Sequence, residues 1–225
     1  MRANDTTVAQ GAVGQSTRWR DTDRLALLGL GGPLAFMAVA LLLPAVSEYS
    51  LLSDTISELA LGRYGAVQTL AFFVAALGSL ALTVGLQRTL PRTRGARVGS
   101  GLLAIWTLCL ALDGLFPIDP LIPGVEQTPT GLIHLGAALV AFVSLLLAIF
   151  VLSFAFRRSD RWQRFFPWSF ALGIAALIAF FLPSEGGRAG LYQRIFVGIV
   201  ILWLALVALR LRAIAGERAE VARER

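Results

Sequence analysis

The chain contains no lysine, a single cysteine, a single histidine, and few charges of either sign. Each scarcity removes a class of protein. With Cys109 alone, no intramolecular disulfide can form and a cysteine-based metal cluster is excluded. With His134 alone, a zinc site lacks the nitrogen and sulfur ligands it usually recruits, so neither a metal nor another cofactor is expected. Charged residues make up 15% of the chain, against about 25% in an average soluble domain, too few to clothe helices in polar faces. All twenty basic residues are arginine, and with the richness in alanine, leucine and glycine this points to a GC-rich bacterial genome.

What the chain does have is long apolar runs. Six of them cover Leu25–Val46, Ala66–Leu86, Val98–Phe116, Gly131–Phe156, Phe165–Leu182 and Leu191–Leu209. About 20 apolar residues at about 1.5 Å each cross a hydrocarbon core about 30 Å thick. The sequence therefore predicts an all-α, polytopic membrane bundle of six transmembrane helices. It divides into a mobile N-terminal tail (1–23), the six-helix domain (24–213) and a short charged tail (214–225). Thr22 or Asp23 is the expected cap of the first helix, and Gly31-Gly32-Pro33 is expected to interrupt it. Cleavage of the first run as a signal peptide near Ala45-Val46-Ser47 is disfavoured, because the run is about twice as long as a signal core.

Charge then orients the bundle. Seventeen arginines fall in the N-terminal segment, the second-to-third and fourth-to-fifth connections and the C-terminal tail. Arg63, Arg188 and Arg194 fall on the other side, among Glu48, Asp54, Glu58, Asp113, Asp119, Glu126 and Glu185. Short arginine-rich loops stay cytoplasmic, which places both termini inside and the acidic loops outside a cell membrane crossed several times. The net charge of +6 would suggest nucleic acid in a soluble protein; here it sets topology and touches anionic lipid, and no nucleic-acid partner is expected. Trp162 and Trp168 bracket the inner end of the fifth run, as aromatic anchors do.

The acidic loops carry the chemistry. The first reads Ser47-Glu48-Tyr49-Ser50-Leu51-Leu52-Ser53-Asp54-Thr55-Ile56-Ser57-Glu58-Leu59, which suggests a short helix lying at the membrane surface. Thr55 and Glu58 have capping-box spacing, and Asp54 and Glu58 would share a helical face, where like charges repel unless a cation intervenes. A capped surface helix and a ligand site both fit that pattern. Asp113 lies about one turn inside the third run, where a carboxylate is costly and should face the bundle with a partner. Arg194 and His134 are the available partners, and Arg194 is expected either to bridge to Asp113 or to hold a lipid phosphate. Asp119, between Pro117 and Pro120, reads as a turn residue. His134 suits either a hydrogen-bonded packing role or general-base catalysis, with Asp113 orienting it and Ser53 or Ser57 as nucleophile.

The order Ser-Asp-Thr-Ile-Ser-Glu-Leu at 53–59, Asp-Gly-Leu-Phe-Pro-Ile-Asp at 113–119, His134, and Gln193-Arg194 resembles a prokaryotic membrane family catalogued as Domain of Unknown Function 998, over about residues 25 to 212. That resemblance implies six membrane helices and no established activity. A looser likeness, in Ile56-Ser57-Glu58 and His134-Leu135-Gly136-Ala137, is to the Frag1/DRAM/Sfk1 group of eukaryotic six-helix proteins linked to lipid handling. Three functional classes follow. In the first, Asp54, Glu58, Asp113, His134, Gln193 and Arg194 line an outer-leaflet pocket that binds or modifies membrane lipid. The second is a noncatalytic scaffold or subunit working with a membrane-protein partner or a second copy. The third is a small transporter, against which stands the absence of charge at mid-membrane, where only Ser79, Thr83, Ser100, Thr107, Ser144 and Ser169 are polar.

Overall fold

The computed structural model describes residues 3–122, 124, 126–182 and 186–221, with side chains from residue 17 onward. Glu185, counted above among the acidic loop residues, lies outside them. Among the described residues, six α-helices make up the fold: α1 (Ala3–Leu42), α2 (Gly65–Thr89), α3 (Arg94–Leu115), α4 (Pro129–Arg157), α5 (Phe166–Phe180) and α6 (Ala189–Val221). Six stretches are long and apolar enough to cross a membrane, the first running Thr17–Val46 and the fifth Gln163–Phe180. No strand occurs among the described residues.

Each helix packs on its neighbours in the chain, and α6 closes the ring against α1 while also reaching α2 and α4. Helix starts follow local chemistry. Thr93 caps α3 by accepting from the Ala96 N–H at 3.2 Å, and Thr128 caps α4 by accepting from the Gly131 N–H at 3.2 Å, with Pro129 in the first turn, where no N–H is needed. The outward surface carries large apolar side chains, among them Leu28, Leu77, Leu108, Leu139 and Ile178. Water would penalise such a belt, whereas hydrocarbon does not.

Helix α1 departs from the sequence reading in two ways. It runs unbroken through Gly31-Gly32-Pro33 rather than being interrupted there. The glycines serve packing: a Cβ on Gly32 would strike the Val74 carbonyl and Gly78, and one on Gly78 would strike the Leu28 carbonyl and Gly32. The α1 and α2 backbones thus touch with nothing between them, as small residues permit in membrane bundles. The helix also begins at Ala3, inside the segment read as a tail, so neither Thr22 nor Asp23 caps it. Thr22 bonds back to the Arg18 carbonyl, and Asp23 pairs with Arg212 of α6 at 3.1 Å.

The tryptophans at the start of α5 divide. Trp168 is 69% exposed, as an interfacial anchor requires, but Trp162 is fully buried and stacked on Phe156 with ring centres 4.6 Å apart. Trp162 is therefore a core residue, not an anchor. Most of the mid-bundle hydroxyls are committed internally. Ser79 accepts from the Trp106 indole at 3.1 Å, Ser169 accepts from Trp203 at 2.8 Å and meets Ser153 at 2.6 Å, and Thr83, Thr107 and Ser144 donate to carbonyls of their own helices.

Candidate functional site

The acidic end of the bundle is organised by the connection between α1 and α2. Its described helical content is two 3-10 turns, Leu43–Val46 and Glu58–Leu61. Asp54 folds the segment before it: its carboxylate accepts from the Ser50 N–H at 2.7 Å and the Ser53 hydroxyl at 3.1 Å. The capping box forms as its spacing suggests. Glu58 Oε2 accepts from the Thr55 N–H at 2.8 Å and hydroxyl at 2.9 Å, and Thr55 Oγ1 accepts in return from the Glu58 N–H at 3.4 Å. Buried Ile56 and Leu59 plug this turn into the core.

The same connection caps α6. The first N–H groups of any helix lack partners within it. Here the N–H groups of Gly190 and Leu191 donate to the carbonyls of Ser53 (3.3 Å) and Leu52 (3.0 Å). A Cβ on Gly190 would overlap the Asp54 carbonyl, so glycine is needed for the approach. Gln193, one turn on, accepts from the Ile56 N–H at 2.7 Å.

Arg194 completes the clamp and corrects the expected bridge to Asp113. Its Nη1 donates to the carbonyls of Asp54 (2.6 Å), Gly190 (3.1 Å) and Leu51 (3.2 Å), and its Nε donates to the Ala40 carbonyl at 3.3 Å. The last bond has a reason in sequence. The donor that would serve Ala40 within α1 belongs to position 44, which is Pro44 and has no N–H. Arg194 supplies it instead. At 5% exposure the guanidinium is inside the protein, holding backbone rather than a carboxylate.

Asp113 and His134 are brought together beneath this clamp, and both are buried, at 6% and 1% exposure. His134 Nδ1 lies 2.8 Å from the Phe116 carbonyl, which fixes the hydrogen on that nitrogen, and 4.0 Å from Asp113 Oδ1, beyond hydrogen-bond length. Asp113 Oδ1 and His134 Nε2 are left without partners. The ring also stands edge-on to Phe72, centres 6.0 Å apart. Among the described residues no hydrogen bond joins His134 to Ser53 or Ser57, so the postulated base and nucleophiles are not assembled as a pair. Asp119 acts as the turn residue expected, accepting from the Thr128 N–H at 2.6 Å and its hydroxyl at 2.8 Å. No group of three potential metal-ligating side chains forms among the described residues.

Sequence reasoning missed two features. Gln68 in α2 is fully buried and both its amide atoms lack partners, a polar residue whose place inside an apolar run was the available signal. The second is a cleft of about 720 Å³ beside the clamp, lined by Glu48, Asp54, Glu58, Arg63, Tyr49 and Tyr64. Arg63 lies over the Tyr64 ring at 5.5 Å. Burial, and then the negative charge of Glu58 and Asp54, push the Tyr49 phenol above its ordinary pKa. Asp54 and Glu58 thus reach this cleft, whereas Asp113, His134, Gln193 and Arg194 lie outside its lining.

Six apolar spans with a polar, folded cap at one end define a multi-pass integral membrane protein. The chain belongs to the family described as "Protein of unknown function (DUF998)", whose model matches residues 30–210. No curated protein and no solved structure matches it.

Proposed function

We propose that the protein binds or modifies membrane lipid at its acidic end, and that this end faces outward from a bacterial cytoplasmic membrane. The observation that carries the reading is the cleft at the α1–α2 connection. Its volume lies in the range of small-molecule sites, and it combines three carboxylates, an arginine and two tyrosines with apolar Val46, Leu61 and Ile122. Charged groups beside apolar surface at the end of a membrane bundle suit a lipid head group with its chains alongside. A groove of about 320 Å³ at the same end, lined by Phe142, Phe180 and Phe196 with Tyr192 and Gln193, offers room for hydrocarbon. The arginine asymmetry of the loops supports the orientation.

The scaffold reading, with a membrane-protein partner or a second copy, draws on a different observation: Asp54, Glu58 and Arg194 all spend hydrogen bonds on folding the loop. Transport draws the least support, since Ser79, Thr83, Thr107, Ser144 and Ser169 are bonded to tryptophans or carbonyls rather than free to line a path. Glu48 and Arg63 separate the first two readings, because both are exposed and line the cleft without holding the loop. Purified Glu48→Gln/Arg63→Ala protein, analysed by native mass spectrometry, is expected to lose a co-purifying lipid several-fold with its melting temperature unchanged. Lipid retention equal to the parent protein would leave the scaffold reading standing.

A further inference from the structure

Asp113, whose Oδ1 has no hydrogen-bond partner, is one of the residues lining an internal cavity. The cavity measures about 20 Å³ and is lined by Asp113, Ser57 and Gln193 together with Phe72, Trp106 and Phe142. A water needs roughly 10–15 Å³ measured this way, so one fits. We infer that this cavity is a single-water site in which the water joins Asp113 of α3 to Ser57 of the α1–α2 connection and Gln193 of α6.

The donors and acceptors support that occupant. Asp113 Oδ1 has no protein partner, and His134 Nδ1, 4.0 Å away, is engaged by Phe116. A buried polar atom left so is costly, and an ordered water is the usual remedy. Gln193 gives its carbonyl oxygen to the Ile56 N–H, which leaves its amide N–H groups as donors. Ser57 offers a hydroxyl that donates or accepts. Three polar neighbours match the two to four partners that buried waters take. Wholly apolar cavities of this kind stay dry, but this one has a carboxyl in its wall. A cation is the rival occupant, and it would seek about six oxygens where the rest of the lining is aromatic and aliphatic. The water ties Asp113 of α3 to the α1–α2 connection and α6, which are already joined to each other by hydrogen bonds, and it does so whether or not the cleft binds lipid.

A double-mutant cycle tests the site. Val197 lines the cavity, and Val197→Ile adds one methylene that displaces the water. Ser57→Ala removes one of its anchors. Each change alone is expected to lower the melting temperature by about 2–6 °C. In the double variant the Ser57→Ala loss should shrink to under half, because the bridge it served is already gone. Strictly additive losses, or a Val197→Ile protein more stable than the parent, would overturn the inference by showing overpacking alone or a dry cavity. A density peak in this cavity in sodium-free choline buffer, with two to four neighbours at about 2.8 Å, is the direct confirmation. A peak that appears only with sodium, accompanied by a sodium-dependent rise in melting temperature, would replace the water by a cation.

Discussion

Replacing Arg194 by methionine keeps the length of an apolar stem and removes the donors. Four carbonyls then lose a partner: Ala40, Leu51, Asp54 and Gly190. They do not suffer equally. Leu51 is exposed and Asp54 half-buried, so water reaches those two, and the Gly190 carbonyl lies within the first turn of α6. Ala40 is fully buried and has no helical donor because Pro44 occupies the position that would supply it. A stranded carbonyl of that kind costs about 1–3 kcal/mol, and the two half-wet bonds add about 0.5–1.5 kcal/mol each. Against this, methionine is spared the desolvation that a buried guanidinium suffers, which returns part of the loss. The net expectation is about 2–4 kcal/mol. For a chain of this size that corresponds to a fall of about 5–15 °C in melting temperature. Thermal unfolding in detergent measures it, and hydrogen exchange at the amides of Leu52–Leu59 should rise along with it. Arg194→Lys, which keeps charge but not the fork, should fall between. An Arg194→Met protein with parental melting temperature and unchanged exchange in the loop would refute the clamp. If it instead lost bound lipid with stability intact, Arg194 would be a ligand residue.

Three further outcomes are expected. Gly78→Leu drives a side chain into the Leu28 carbonyl and Gly32, so it should abolish folded monomer on size exclusion, whereas Gly31→Leu, which meets open space, should be tolerated. Thr55→Val removes the capping hydroxyl and should cost about 0.5–2 kcal/mol, read as a melting-temperature fall without loss of the fold. Tyr49 holds its proton more tightly folded than unfolded, so its contribution to stability is whole below the ordinary tyrosine pKa of about 10 and is lost as pH rises through the higher folded value. Tyr49→Phe should therefore flatten the decline of melting temperature at alkaline pH, and an unchanged slope would contradict the assignment.

The six spans are legible because hydropathy and length are properties of a segment on its own, and a bilayer imposes both. What escapes is whatever depends on a distant partner. Trp162 looks like an interfacial anchor by position, yet Phe156 takes it as a stacking surface in the core. Gly31-Gly32-Pro33 looks like a break, but the close approach of Gly78 makes the same residues a contact between continuous helices. Arg194 looks like a counter-ion for Asp113, and the structure gives it carbonyls 140 to 154 residues earlier in the chain. One clue was present: Pro44 orphans the Ala40 carbonyl, so a donor had to come from elsewhere. The Thr55–Glu58 box and the Asp119 turn were readable since each is closed by residues within one loop.

The α1–α2 connection is made early in synthesis, yet the backbone groups and guanidinium that fasten it belong to the final helix. During biogenesis the emerging chain must therefore hold this segment unfastened until the sixth helix leaves the translocon. Nascent chains stalled or truncated before α6 would leave Ile56 without its Gln193 partner and open to proteases and chaperones, giving quality control a built-in means of telling finished molecules from unfinished ones.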